Sequence, residues 1–169
     1  MIIVMRGLPA SGKSTIAARL ADTLPATIMS KDRVRAALFA PADVDYSAAQ
    51  DDLCMGVIFR TATYLLRRDP GRKIIIDGRT FSKRAQLDAL KAGTADTGAP
   101  LLIVECLVDR ATAHERLRHD SAHEATNRDA SLFDRIAAAW ETIADPRLVL
   151  DTTSLSLDEC TARALRYIQ

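Results

Sequence analysis

The sequence has few of the features that mark disulfide-rich, metal-binding or membrane proteins. Its three cysteines, Cys54, Cys106 and Cys160, are odd in number, far apart and without CxxC spacing or histidine partners, which excludes a disulfide framework and a common zinc site. No apolar run reaches the ~18 residues that cross a bilayer, and the first apolar stretch ends before Arg6 and Gly7. We therefore expect a cytoplasmic protein with reduced, buried thiols and no targeting segment.

The sequence also lacks an excess of charge of one sign. Lys and Arg number 23 against 22 Asp and Glu, so the net charge is +1, and the basic surface of a duplex-binding protein is missing. The charges are nevertheless unevenly distributed. Residues 1–84 carry 14 Lys and Arg against 8 Asp and Glu, whereas residues 85–169 carry 9 against 14. We expect the first half to build most of the anion-binding surface.

Short continuous apolar runs alternate along the chain with segments of helical period. This alternation is typical of a parallel sheet covered by helices on both faces, and the length suits one domain spanning 1–169. The predicted strands are Ile2–Met5, Thr27–Met29, Lys73–Asp77, Leu101–Leu107 and Leu148–Leu150. The predicted helices lie at about 13–24, 31–40, 47–69, 82–97, 110–119, 131–144 and 157–168. Ligands of such sheets bind beyond the carboxyl ends of the strands.

The strongest motif follows the first strand directly. Residues 7–15 read Gly-Leu-Pro-Ala-Ser-Gly-Lys-Ser-Thr, which matches G-x-x-x-x-G-K-[ST] between a strand and a helix. The glycines let successive backbone N–H groups turn inward at a helix N-terminus, Lys13 adds a charge at the β- and γ-phosphates, and the Ser14 hydroxyl can bind Mg²⁺. The predicted nucleotide site consists of Gly7, Pro9, Ala10, Ser11, Gly12, Lys13, Ser14 and Thr15.

A phosphate loop alone does not specify a reaction. The chain has no Asn-Lys-x-Asp motif of the kind that reads the base in GTPases, and it is far shorter than motor and transporter ATPases. A small phosphotransferase is therefore the interpretation that fits best. The alternative is a nucleotide-dependent binding or regulatory module that hydrolyses ATP slowly or not at all, and acceptor-stimulated ADP formation separates the two.

The second predicted strand runs into a helix that opens with Ser-Lys-Asp-Arg-Val-Arg at 30–35. The end of this strand lies near the phosphate loop in a parallel sheet, so Asp32 can face an acceptor hydroxyl, with Arg35 one turn later on the same face. A carboxylate there can orient the hydroxyl and take its proton, and a guanidinium can neutralise a phosphate on the acceptor or the group being moved. The alternative is an Asp favoured by the helix dipole, beside solvated arginines.

The third predicted strand ends in Asp77, followed by Gly78-Arg79-Thr80. An apolar strand that ends in Asp is typical of the second half of a Mg²⁺ site in phosphate-loop enzymes, where the carboxylate usually acts through a metal-bound water. The alternative is a strand-ending Asp that only forms a turn. Arg79, Thr80 and Arg84 are further candidates for contact with the acceptor, with equal support.

Four segments together resemble the small ATP-binding P-loop kinase family that includes polynucleotide kinase domains and zeta-toxin-like and chloramphenicol phosphotransferase-like enzymes. These segments are residues 7–15, Ser30-Lys31-Asp32-x-x-Arg35, Asp77-Gly78-Arg79-Thr80 and Asp151-Thr152-Thr153. The resemblance implies an α/β fold of the P-loop NTPase type, three-layer α/β/α, with a five-stranded parallel sheet in the order 2-3-1-4-5. It also implies ATP and Mg²⁺ as cofactors, Asp32 as general base and Arg35 as the arginine of the Asp-x-x-Arg motif.

The acceptor implied by the resemblance carries a hydroxyl group, on a small molecule or at the 5′ end of a polynucleotide. Polynucleotide kinases usually continue the third strand as Asp-Ala/Thr-Thr-Asn, whereas this chain has Asp77-Gly78-Arg79-Thr80-Phe81. This departure and the near-zero net charge do not favour a polynucleotide acceptor.

The resemblance further implies a short helical lid, here at about 112–131, that excludes water and brings an arginine to the γ-phosphate. Arg116, Arg118 and Arg128 are the candidates, although residues 110–135 hold five Arg and five Asp or Glu, so local ion pairs explain them equally well. Residues 151–154, Asp-Thr-Thr-Ser, resemble the loop that lies against adenine in this family, and a cap for the last helix is the alternative.

Overall fold

Five parallel strands form the central sheet of the molecule in a computed structural model that describes residues 1–119 and 129–169. The strands are hydrogen-bonded in the order β2-β3-β1-β4-β5, as the resemblance implied. In the register, Ile3 of the central strand lies between Ile75 and Leu102. The strand bounds are β1 (Ile2–Gly7), β2 (Ala26–Ser30), β3 (Lys73–Asp77), β4 (Leu101–Leu107) and β5 (Leu148–Asp151).

Seven α-helices of the described residues surround this sheet, and Ser side chains fix where several of them begin. Ser30, Ser47 and Ser156 each accept a hydrogen bond from a backbone N–H of the first turn that follows, which satisfies a donor that the helix itself leaves unpaired. The bounds are α1 (Lys13–Thr23), α2 (Lys31–Leu38), α3 (Ala48–Arg68), α4 (Arg84–Thr94), α5 (Arg110–His119), α6 (Ala130–Ala138) and α7 (Leu157–Ile168). None of them is long and apolar enough to span a membrane.

The core consists of two apolar layers, one on each face of the sheet, because successive side chains of a strand point to opposite faces. Ile2 and Val4 of β1 pack in one layer with Met55 and Ile58 of α3 and with residues of α4. The other layer joins the alternate residues of β1 to α1 and α7. The predicted three-layer α/β/α arrangement is therefore confirmed.

All three cysteines are free and buried, as the sequence predicted. Burial raises the pKa of the Cys106 thiol to about 12, because removal from water disfavours the thiolate. Cys106 is therefore a protonated core residue at neutral pH.

A buried ion pair occupies the carboxyl end of β1. Arg6, only 1% exposed, lies opposite Glu105 in the register and forms a salt bridge of 2.7 Å with it. Its guanidinium also donates to the carbonyl oxygens of Phe81 (3.0 Å) and Glu141 (2.6 Å) and lies 4.0 Å from the centre of the Trp140 ring. Burial lowers the pKa of Arg6, and the neighbouring Glu105 opposes that shift.

Hydrogen bonds of the Glu141 backbone account for the predicted helix whose end differs most from the observed one. The periodicity predicts a helix over 131–144, but α6 ends at Ala138. Glu141 donates its backbone N–H to the Ser82 carbonyl oxygen (2.8 Å) and accepts from Arg6 at its own carbonyl oxygen, so its backbone is bonded to the loop after β3 and to β1 instead of continuing the helix.

Candidate active site

A cleft of about 1280 Å³ opens at the carboxyl ends of the strands. It is lined by the phosphate loop after β1, the start of α2 after β2, the loop after β3 and Thr152 after β5. Of the predicted site residues, the lining includes Pro9, Ala10, Ser11, Gly12, Lys13, Ser14, Thr15, Asp32, Arg35, Arg79, Thr80 and Arg116. The strand topology thus brings together residues that are more than 100 positions apart in the sequence.

The phosphate loop connects β1 to α1 through glycines at two constrained positions. A Cβ atom on Gly7 would lie 2.5 Å from Ser11 Oγ and 2.6 Å from the Cys106 carbonyl oxygen, so no larger residue fits there. Gly12 has φ +78°, in the left-handed region that glycine tolerates. The first residues of α1 line the cleft, so the N-terminal N–H groups and the positive end of the helix dipole face it, and no side chain caps this end of the helix.

Lys13 lies at the first position of α1 and folds back over the loop. Its Nζ donates to the Leu8 carbonyl oxygen (2.7 Å) and lies 3.4 Å from Ser11 Oγ. The ammonium group therefore lies within the anion-binding loop, with its charge added to that of the N–H groups.

Arg116 of α5 connects the phosphate loop to the loop after β5. It donates to the Ala10 carbonyl oxygen (3.1 Å), to Thr152 Oγ1 (3.0 Å) and to the Thr152 carbonyl oxygen (2.7 Å). The Thr152 hydroxyl in turn lies within hydrogen-bond distance of the carbonyl oxygens of Leu107 (3.0 Å) and Ser11 (3.3 Å). Of the two alternatives for residues 151–154, a loop beside the nucleotide site is therefore favoured, and Ser156 is the residue that caps α7.

An ion pair connects α5 and α6, the helices that precede and follow residues 120–128 in the sequence. Arg110 of α5 forms two hydrogen bonds with the Asp134 carboxylate of α6 (2.8 and 2.7 Å), which lower the pKa of Asp134 to about 2. Arg118 pairs with Glu115 on its own helix. The predicted lid at about 112–131 extends outside the described residues, and Arg128 lies outside them.

Asp32 lies at the start of α2 in a buried network of opposite charges. Arg35, only 3% exposed, donates to Asp32 Oδ1 (2.7 Å) and to Asp51, and its guanidinium lies 4.9 Å from the centre of the Tyr46 ring. Lys31 Nζ donates to Asp51 Oδ1 (2.8 Å). The alternative of a solvated Arg35 is therefore wrong. Two carboxylates accept from its terminal nitrogens, whereas its Nε is buried with no hydrogen-bond partner among the described residues.

Sequence reasoning missed Asp51 and Asp52, which extend this network from the first turns of α3. Asp51 bridges Lys31 and Arg35, and Asp52 accepts from Arg79 (2.7 Å). The sequence contained one signal for them, since Ser47 followed by acidic residues is typical of a helix start. That signal predicts where α3 begins, but it does not predict which residues of other elements lie beside Asp51 and Asp52.

The three remaining candidates for contact with the acceptor, Arg79, Thr80 and Arg84, lie in different environments. Arg79 lines the cleft, and the Thr80 carbonyl oxygen accepts from the Gly7 N–H (3.1 Å), which attaches this loop to the phosphate loop. The side chain of Arg84 is 71% exposed and pairs with Glu141, away from the cleft lining.

Asp77, the predicted second Mg²⁺ ligand at the end of β3, is buried and is not among the residues that line the cleft. It is 4% exposed, and Oδ1 has no hydrogen-bond partner among the described residues. A buried, unpartnered carboxylate oxygen is costly unless a ligand completes it. The next residue, Gly78, lies against the start of α2, where a Cβ atom on it would be 2.8 Å from the backbone nitrogen of Lys31. Hard oxygen donors of this kind fit Mg²⁺, and no cluster of three His, Cys, Asp or Glu occurs in the described part of the chain.

Comparisons with known proteins agree with this fold. A family model described as an AAA domain matches residues 2–145, whereas no curated protein matches the chain. The Mycobacterium tuberculosis APS kinase CysC, solved with AMPPNP and APS, superimposes with a TM-score of 0.72 at 20% identity, over 99% of this chain and 96% of that one.

Two further solved structures are similar over nearly the whole chain. A gluconokinase from Sinorhizobium meliloti 1021 has a TM-score of 0.68 at 17% identity, over 97% of this chain and 89% of its own. Chaetomium thermophilum Kti12 in complex with ADP-AlF3 has a TM-score of 0.67 at 17% identity, over 99% and 98% of the two chains. The chain therefore belongs to the AAA-domain family, and its fold is that of the small P-loop kinases.

Proposed function

We propose that this protein is a kinase that transfers the γ-phosphoryl group of ATP to a hydroxyl group of an acceptor, within one kinase domain. The observation that carries the proposal is the buried carboxylate of Asp32 in the same cleft as the phosphate loop. Solved structures of similar fold include a sugar kinase and an APS kinase, which supports a hydroxyl acceptor.

In this mechanism the phosphate loop and Lys13 bind and neutralise the transferring group. The N–H groups at the start of α1 and the Lys13 ammonium stabilise the negative charge that shifts during transfer. Ser14 and Asp77 are the residues that would hold Mg²⁺, and Mg²⁺ when bound neutralises charge on the β- and γ-phosphates. Arg116 fixes the loop at Thr152 beside the nucleotide. The role of Arg128 at the γ-phosphate stays a prediction.

Asp32 then orients the acceptor hydroxyl and accepts its proton as transfer proceeds. Arg35 donates to Oδ1 of Asp32, so we assign proton acceptance to Oδ2. Arg35 is thus a positioning residue that holds the carboxylate in one orientation. Asp51 supports it from the other side through a second ion pair.

The test is ADP release with ATP and Mg²⁺, alone and with 5′-hydroxyl oligonucleotides, nucleosides, sugars and aminoglycosides. We expect one acceptor class to stimulate ADP release. Lys13→Met is expected to lower that stimulated rate by about 10²–10³, the usual cost of removing a preorganised positive charge or donor at the reacting group. Tight ATP binding with no stimulation by any acceptor would instead support a regulatory module.

Replacement of Asp77 by Asn is expected to weaken the dependence on Mg²⁺. Loss of the carboxylate charge should raise the Mg²⁺ concentration for half-maximal ADP release by about 10–100-fold, as for other groups that support a bound metal. The measurement is a Mg²⁺ titration of ADP release at fixed ATP. Asp96→Asn, which changes an exposed carboxylate paired with Arg67, is the control. An unchanged titration in Asp77→Asn would remove Asp77 from the metal site.

A further inference from the structure

Arg79 is a buried cation in the loop after β3, in the same cleft as Asp32. It is 8% exposed, and within the described part of the chain its guanidinium makes one hydrogen bond, from Nη2 to Asp52 Oδ1 (2.7 Å). Its Nε is buried and has no hydrogen-bond partner among the described residues. A guanidinium offers five N–H donors in a fork that matches an oxyanion, so most of the binding capacity of Arg79 is unused.

The carboxylate that pairs with Arg79 is open to water. The side chain of Asp52 is 66% exposed, whereas that of Arg79 is 9% exposed. An incoming anion can therefore replace Asp52 without leaving a carboxylate buried and unpaired. Arg35 differs, because its partners Asp32 and Asp51 are largely shielded, with side chains 9% and 24% exposed. Of the two guanidinium groups, that of Arg79 is the one that a ligand can bind.

Arg79 also lies close to the start of α2, which carries Asp32. Ser30 and Asp77 are partners in the register of β2 and β3. Asp32 and Arg79 each follow two residues later in the sequence. Between them, a Cβ atom on Gly78 would lie 3.2 Å from the backbone nitrogen of Asp32. A hydroxyl group at Asp32 and an anionic group at Arg79 can therefore belong to one acceptor molecule.

The charges that line the cleft favour an anionic acceptor as well. Seven Lys or Arg and three Asp line it among the described residues. Lys13 and Arg116 of these seven contact the phosphate loop, which leaves five cations against three carboxylates in the rest of the cleft. These five are Lys31, Arg35, Arg79, Lys83 and Arg135. An anionic group on the acceptor would reduce this excess of positive charge.

We propose that Arg79 binds an oxyanion of the acceptor, so that the substrate is a hydroxyl compound that also carries a phosphate, sulfate or carboxylate group. The oxyanion replaces Asp52 and accepts hydrogen bonds from the Arg79 guanidinium, while the hydroxyl group of the same molecule reaches Asp32. Arg35 keeps its role in positioning Asp32. This inference rests on the proposed kinase function.

The first test measures Tm with phosphate, sulfate or acetate added at equal ionic strength to protein saturated with AMPPNP and Mg²⁺. AMPPNP occupies the phosphate loop, so a rise in Tm reports an anion bound elsewhere. We expect at least one of the three anions to raise the Tm of the wild type, and the strongest of them identifies the anionic group of the acceptor. Arg79→Gln should raise the Kd of that anion about tenfold or more, the usual effect of losing a hydrogen bond to a charged group.

Two variants control for a purely structural role of Arg79. Arg84→Gln changes an arginine that is 71% exposed and outside the cleft lining, and it should respond to the anion like the wild type. Asp52→Asn removes the carboxylate that competes for Arg79, so the anion should bind about two- to fivefold more tightly, in proportion to the strength of an exposed ion pair. An affinity in Asp52→Asn no higher than in the wild type would overturn the inference.

The second test compares acceptors that differ by an anionic group, namely glucose with gluconate and with glucose 6-phosphate, and adenosine with adenosine 3′-monophosphate. Where a pair stimulates ADP release, the anionic member is expected to have the higher kcat/KM, and Arg79→Gln should remove this preference by raising KM. A higher kcat/KM for the uncharged member would overturn the inference and leave the kinase proposal intact.

The two tests separate failure of this inference from failure of the proposed function. An anion response that is lost in Arg79→Gln, without transfer to any acceptor in the wild type, would support the anion site and overturn the kinase function. A response that disappears when AMPPNP is bound would assign the anion to the phosphate loop and overturn the inference. Equal responses in the wild type and Arg79→Gln, or no response in the wild type, would also overturn it.

Discussion

An Asp32→Asn variant is expected to lose acceptor phosphorylation by a factor of about 10²–10⁴, the usual contribution of a positioned general base. Asn has nearly the same shape and can still accept a hydrogen bond from Arg35, but its amide cannot take a proton from the acceptor hydroxyl. The Kd of ATP should stay unchanged, because the phosphate loop is on a different element. The measurements are kcat for acceptor-stimulated ADP release and ATP binding in the same preparation.

The matched control for this prediction is Asp51→Asn. Both substitutions replace a carboxylate partner of Arg35 by an amide, but only the first removes the proposed base. Asp51→Asn should therefore act mainly on KM through a loosened Arg35, with a much smaller effect on kcat. Equal losses of kcat in the two variants would mean that Asp32 contributes only to the ion network, and unchanged turnover in Asp32→Asn would exclude it as the base.

The secondary structure could be predicted from the sequence because strand and helix signals here are local. Each strand is a short apolar run, and the predicted strands agree with the observed ones to within two residues. The phosphate loop could also be predicted from the sequence, since its glycines meet a backbone requirement that acts over eight consecutive residues. The strand order came from the resemblance to a family, not from the residues of the strands themselves.

The acceptor side could be predicted only in part, because its chemistry depends on pairs that are distant in the sequence. Asp32 and Arg35 are one helical turn apart, so a local argument brings them together. Asp51 belongs to another helix and reaches the same guanidinium only through the packing of α3 against α2. Once Asp51 is included, we interpret Arg35 as a group that positions a carboxylate and not as one that neutralises a phosphate.

Replacement of Arg6 by Met is expected to lower the free energy of unfolding by about 3–5 kcal/mol, the usual cost of breaking a buried ion pair from one side. The substitution removes one of the two arginines that pair with Glu105, together with the donor to the Phe81 and Glu141 carbonyl oxygens. Urea denaturation followed by circular dichroism measures the change. Arg67→Met, which removes an exposed pair with Asp96, should cost at most about 1 kcal/mol.

The double variant Arg6→Met/Glu105→Leu shows whether the unpaired charge is the cause. If it is, removal of both charges should restore part of the lost stability, because the buried carboxylate that Arg6 helps to neutralise is then absent. Arg147, which also pairs with Glu105, is partly exposed and can turn toward water. A double variant less stable than Arg6→Met would show instead that the contacts of Arg6 with Trp140 and the two carbonyl oxygens carry the stability. In that case the charge of Glu105 is not what holds the segment after α6 against the sheet.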